Sequence, residues 1–197
     1  MIKVGITGGI GSGKTTVCRI FEHFGVPIYC ADERSKDLIQ TDVKLIGKIK
    51  KLFGSNLYDS KNVLDKAALA SIVFHDDEKL TKLNEIVHPA VLSDFNNWCS
   101  LHQNQAYIIK ESALLFETNS QANLDILITV FAPLEIRIKR IKDRDQLTQE
   151  EIMSRMKSQM SDNEKMSQSD YVIFNDLKHP LVKQVLVLHN ELCKSLI

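Results

Sequence analysis

Gly8-Gly9-Ile10-Gly11-Ser12-Gly13-Lys14-Thr15 sets a lysine and a hydroxyl residue directly behind a glycine-rich run, in the spacing G-x-x-x-x-G-K-[ST]. Glycines allow successive backbone N–H groups to turn inward, and a helix starting at this point adds its first unpaired donors to the same spot. The chemistry of such a cradle is capture of nucleotide phosphates. Gly9, Ile10, Gly11, Ser12 and Gly13 are expected to line it, with Thr16 in the first helical turn behind them. Lys14 is expected to span the β- and γ-phosphates of ATP, and the Thr15 hydroxyl to ligate Mg²⁺.

Further along, carboxylates and arginines stand where they could serve that cradle. Asp32 follows the apolar run Pro27–Cys30. At the carboxyl end of a strand it could orient an attacking hydroxyl and take its proton, or it could cap a helix starting at Glu33. Glu33 in a first turn is explained by the helix dipole alone. Glu111 closes the run Ala106–Lys110 and could hold a water on nucleotide-bound Mg²⁺. Glu117 could cap a turn or face a phosphoryl acceptor. His88 could donate to a substrate phosphate or cap a helix end, and Pro89 behind it kinks a helix or starts a new one. Four of the six arginines, Arg137, Arg140, Arg144 and Arg155, lie between residues 135 and 161. A solvated face would use lysine as readily, so planar forks gathered in one stretch favour phosphate clamping.

These residues need a scaffold, and the hydrophobic pattern supplies one. Lys3–Thr7, Pro27–Cys30, Ala106–Lys110, Ile126–Phe131 and Asp170–Phe174 read as five parallel strands of a buried sheet with helices on both faces. Val17, Ile20, Phe21 and Phe24 fall on one helical face behind the glycines, stopped by Gly25 and Pro27. Between the second and third strands, Ala31–Thr41, Val43–Phe53, Asp65–Phe74 and Asp77–Ser100 are helical patterns, with a turn near Gly54–Ser60. That stretch is too long for one crossover, so a helical insertion is expected. Pro180–Leu196 reads as an amphipathic covering helix.

Composition narrows the class. With 197 residues, the chain suits one α/β domain with insertions. Its 25 basic and 25 acidic residues give no overall pull toward nucleic acid or anionic membrane. No apolar run approaches membrane-spanning length. The first residues belong to the phosphate-binding strand, so no removable signal peptide is expected. Cys18, Cys30, Cys99 and Cys193 lack C-x-x-C spacing and read as buried thiols of a cytoplasmic protein. The remaining histidines, His23, His75, His102, His179 and His189, show no metal-ligand spacing. Phe95 and Trp98 read as core.

The chain has neither D-x-x-G nor N-K-x-D, so guanine-nucleotide switches lose their usual support. A small kinase remains, and the ordered landmarks resemble the dephospho-coenzyme A kinase family. They are Gly5–Val17, Ala31-Asp32, Ile86-Val87-His88-Pro89, Leu114-Leu115-Phe116-Glu117, Arg144-Asp145 with Leu147-Thr148 and Glu150-Glu151, Arg155, Gln159-Met160, and Asp170–Ile173. The resemblance implies a three-layer α/β/α P-loop kinase fold with a helical acceptor-binding insertion at 36–104 and a small lid at 135–161. The core segments would then be 1–35, 105–134 and 162–197. It also implies ATP-dependent phosphorylation of the ribose 3′-hydroxyl of dephospho-coenzyme A, with Asp32 as base. Arg140 and Arg144 would belong to the nucleotide lid, and His88 would lie toward the acceptor. No nucleic acid, membrane or obligate protein partner is expected. Another nucleoside or nucleotide kinase, or a nucleotide-controlled interaction module, is the alternative. Glu111-Ser112-Ala113 replaces the family's usual Asp-x-Pro, and Tyr29-Cys30 stands within its usual Ile-Asp-Ala-Asp, of which Asp32 keeps the final aspartate.

Overall fold

The computed structural model describes residues 1–73, 76–145 and 148–194. Phe74, His75, Leu147 and the end of the expected C-terminal helix lie outside the described residues. In chain order the strands are β1 (Ile2–Thr7), β2 (Ile28–Cys30), β3 (Tyr107–Glu111), β4 (Ile126–Phe131) and β5 (Tyr171–Phe174). The helices are α1 (Lys14–His23), α2 (Ala31–Thr41), α3 (Val43–Phe53), α4 (Lys66–Val73), α5 (Asp77–Leu101), α6 (Leu134–Asp145), α7 (Gln149–Lys157), α8 (Asp162–Ser167) and α9 (Leu181–Lys194). Two compact units emerge, one of Met1–Cys30 with His102–Ile197, the other of Ala31–Leu101.

The first unit is a five-stranded sheet in the order β2-β3-β1-β4-β5. Every pairing is parallel. All five expected strands form, each end within one residue of its expected place. Central β1 buries Val4, Gly5, Ile6 and Thr7 in succession, as a strand covered on both sides does. Val4 and Ile6 pack with Val17 and Phe21 of α1 and with Val185, Leu188 and Leu192 of α9, so these two helices cover one face. Ile128 and Val130 join the same cluster. Thr129 between them must point the other way. Its hydroxyl donates to the Lys165 carbonyl of α8 at 3.2 Å, which puts α8 on the opposite face. Phe21 has no solvent exposure, and truncating it to alanine would cost about 3–5 kcal/mol. Among the described residues no helix is long and apolar enough to cross a membrane.

The second unit is helical. Asp42 caps α3 by accepting from the Leu45 N–H at 2.9 Å, and Gly54 ends that helix at φ 108°, a conformation glycine adopts without cost. Leu83, Val87, Val91, Phe95 and Cys99, four residues apart, form the buried stripe of α5. Phe95 and Trp98 stack with ring centres 6.2 Å apart. Arg34 grips Asp94 through two bonds of 2.9 and 2.7 Å, fastening α2 to α5. Of the two expectations for Pro89, a kink or a new helix start, the new start does not occur, since α5 runs through it. The carbonyl that proline deprives of its donor belongs to Glu85, which is exposed, so water can satisfy it.

Candidate phosphate-binding site

Between β1 and α1 the chain makes a tight turn, with the Ser12 N–H donating to the Gly9 carbonyl at 3.0 Å. Gly13, at φ 95°, is the cap from which α1 departs; its N-terminal donors therefore open onto the turn. Lys14 is buried, and its Nζ donates to the Gly8 carbonyl at 3.0 Å, so the ammonium folds back over the loop. Thr15 and Thr16 are exposed in the first turn. The Ser12 side chain is buried, and its Oγ finds no hydrogen-bond partner among the described residues.

Glu111 ends β3 at the register position of Ile6 in β1 and of Cys30 in β2. Its buried side chain thus stands at the same carboxyl edge of the sheet from which the glycine turn emerges. Beneath the turn, burial pushes the Cys18 thiol well up, and the Glu111 charge adds to the shift. That thiol is a packing group and not a nucleophile.

Arg140 lies against the turn. Its Nη1 donates to the Ser12 carbonyl at 3.2 Å and to the Gly11 carbonyl at 3.4 Å. Its Nη2 donates to the backbone and side-chain oxygens of Asn175, both at 3.2 Å. Asn175 in turn donates to the Ser12 carbonyl at 2.8 Å. Burial pushes the guanidinium down from its usual value. Arg144, one turn on, is exposed and forks onto Asp145 with two bonds of 2.7 Å, which raises its own affinity for protons.

The structure therefore gathers Gly9, Ile10, Gly11, Ser12, Gly13, Lys14, Thr15, Thr16 and Arg140 around one loop, with Glu111 at the same sheet edge. Arg144 pairs with its neighbour Asp145 instead. Glu117 Oε1 accepts from the Met160 N–H at 2.7 Å and from Lys165 Nζ at 2.9 Å. Asp32 and His88 belong to the helical unit, both exposed. Asp32 lies inside the first turn of α2, which runs over the expected Ala31–Thr41, so the alternative of Asp32 capping a helix that starts at Glu33 does not hold.

Sequence reasoning named Arg137 only within the arginine-dense stretch and gave no site role to Gln159, Asp162 or Asn175; Arg137, Gln159 and Asn175 bond the loop, and Asp162 pairs with Arg137. Arg137 Nε donates to the Ile10 carbonyl at 2.8 Å, and Gln159 Oε1 accepts from the Ile10 N–H at 2.8 Å. A signal existed for two of them. Arg137 shares the arginine-dense helix with Arg140, and Asn175 follows directly on β5, where ligands approach open α/β sheets.

Comparison with known proteins agrees with this geometry. The family profile described as Dephospho-CoA kinase matches residues 2–180. A Dephospho-CoA kinase of Bacteroides fragilis is 41% identical over 187 residues, covering 95% of this chain and 91% of that protein. A solved Thermus thermophilus structure superposes with a TM-score of 0.83 at 30% identity, covering 100% of this chain and 98% of the other. A Dephospho-CoA kinase from Campylobacter jejuni shares the fold, with a TM-score of 0.73, 24% identity and coverage of 99% and 98%. A phosphate loop opening a five-stranded parallel sheet specifies a large superfamily, but a profile match over nearly the whole length is selective: the chain belongs to the dephospho-CoA kinase family.

Proposed function

We propose that this protein transfers the γ-phosphoryl group of ATP to the ribose 3′-hydroxyl of dephospho-coenzyme A in the cytoplasm, giving coenzyme A and ADP. The observation that carries this is the conjunction of an assembled Lys14 phosphate loop with a family match spanning residues 2–180. The loop's N–H groups and the α1 terminus bind the phosphates, and Lys14 leaves the Gly8 carbonyl to meet the charge developing on the transferred group. Asp32 orients the attacking hydroxyl and accepts its proton. His88 and Glu117 serve the acceptor, Glu117 paired with Lys165.

Mg²⁺ fits the donors present. The described residues contain no cluster of three His, Cys, Asp or Glu side chains able to hold a metal alone. Thr15 and Glu111 offer a hydroxyl and a carboxylate, hard oxygen donors suited to an ion that rides on phosphates and keeps its waters. Thr15 would hold it directly and Glu111 through water; the ion's contribution when bound is neutralisation of phosphate charge.

Residues 135–161 form the lid in this reading, with Arg140 and Arg144 clamping the nucleotide, while 36–104 binds the acceptor. The reaction is tested by incubating the protein with ATP, Mg²⁺ and dephospho-coenzyme A and following phosphorus NMR. A new ribose 3′-monoester is the expected product; ATP consumption without that signal would overturn the assignment.

A further inference from the structure

Ile10, at the tip of the phosphate loop, has both backbone groups held by side chains from distant parts of the chain. Its N–H donates to Gln159 Oε1 at 2.8 Å, and its carbonyl accepts from Arg137 Nε at 2.8 Å. Arg137 also donates from Nη1 to the Asp162 carboxylate, an ion pair in which the arginine side chain is 6% exposed. One guanidinium therefore ties α6 and the start of α8 to a single peptide of the loop.

Gly9 shows that the loop is shaped around that guanidinium. Unlike Gly8, Gly11 and Gly13, it does not have a positive φ, so its backbone conformation is open to any residue. What a side chain would meet is space already filled. The three atoms nearest a Cβ built there all belong to the Arg137 guanidinium, with Nη1 at 2.7 Å. Moving Arg137 aside would cost both its fork and its buried pair with Asp162.

We propose that Arg137 is a positioning residue for phosphoryl transfer. By gripping the Ile10 carbonyl it sets the peptide plane from which the following N–H groups are aimed at the phosphates, and Gly9 is glycine in order to admit it. The inference rests on the loop being the ATP site. A peptide rotated at Ile10 turns the donors that follow away from their target, and preorganised donors lose their value when the protein must reorient them. Asp162 and Gln159 complete the brace, one neutralising the guanidinium and the other fixing the N–H of the preceding peptide, between Gly9 and Ile10.

The test is a two-by-two cycle of G9A and R137A, read by calorimetric binding of an unreactive ATP analogue, together with R137K. R137K keeps the charge facing Asp162 and loses the planar fork. It should raise the KM for ATP about tenfold, with the KM for dephospho-coenzyme A unchanged and the melting temperature near wild type. G9A should weaken analogue binding about tenfold in the wild-type background and less than about twofold in R137A, because the obstructing group is gone. Equal losses in both backgrounds would mean that Gly9 serves the ligand and not Arg137, and would overturn the proposal. A lowered melting temperature in R137K with unaltered KM for ATP would overturn it too, leaving a brace of stability only. Analogue binding requires no acceptor, so failure of the wild type to phosphorylate dephospho-coenzyme A would be a separate result.

Discussion

Lys165 Nζ lies 2.9 Å from Glu117 Oε1, and no part of the lysine side chain reaches solvent. The ammonium also donates to the Ala113 carbonyl at 3.0 Å, so α8 holds both ends of the segment 113–117. A buried ammonium stripped of its counter-charge is worse than no charge at all. Glu117→Ala should therefore destabilise the protein by about 3 kcal/mol and lower its melting temperature by about 10 °C. Lys165→Met, which removes the charge and fills the space, should cost less than half as much. Thermal unfolding followed by circular dichroism measures both, and the reverse order would contradict the buried-pair account.

Lys14 and Asp32 should fail in different ways. Lys14→Met removes charge from the phosphate cradle, so ATP affinity and turnover should both fall, turnover by ~10²–10³. Asp32→Asn removes only a proton acceptor, so turnover should drop ~10²–10⁴ while the affinity for an unreactive ATP analogue stays at the wild-type value. Saturating kinetics paired with analogue titrations separate the two. Near-normal turnover in D32N would return Asp32 to a helix-terminus role.

Arg144 forks onto its neighbour Asp145, while Arg140 is anchored on the loop by Ser12, Gly11 and Asn175. If residues 135–161 close over ATP, Arg144 must exchange Asp145 for phosphate oxygens. Arg144→Lys should then lower kcat/KM for ATP at least ~10-fold, and hydrogen exchange across 135–161 should slow with a bound analogue. Unchanged exchange would argue against closure.

Acid should weaken the turn that precedes α9. Asp176 accepts from the backbone N–H groups of Lys178 and His179, and these bonds hold its carboxyl down at about 2. A carboxylate with a lowered folded value adds stability that is present above its unfolded value, near 3.9, and is lost as pH falls toward 2. Asp176→Asn should flatten the stability profile over that window without altering its shape above pH 5. An acid limb unchanged from wild type would contradict the assignment.

The strands and the cradle were legible in the sequence because their signals are local. Continuous β-branched runs bounded by glycine and proline mark a sheet covered on both faces, and the spacing of Gly8, Gly13, Lys14 and Thr15 encodes a turn whose geometry follows from those residues alone. The helix Ala31–Thr41 was legible with Asp32 in its first turn, while the alternative of Asp32 as a cap before Glu33 does not hold; one residue separates the two. Pro89 was read as a kink or a new start because proline lacks the helix N–H, yet the apolar stripe from Leu83 to Cys99 carries α5 across it. Arg137, Asp162, Gln159 and Asn175 were missed for a different reason. Arg137, Gln159 and Asn175 act on the loop across 127 to 163 positions of chain, Asp162 acts through Arg137, and no short spacing pattern records such a meeting.

The central claim is tested most directly by coupled measurement of ADP release with dephospho-coenzyme A, adenosine, nucleoside monophosphates and shikimate as competing acceptors. The account predicts that kcat/KM for dephospho-coenzyme A exceeds that of every other acceptor by ~10²-fold or more. Equal or faster turnover of any of the others would contradict it.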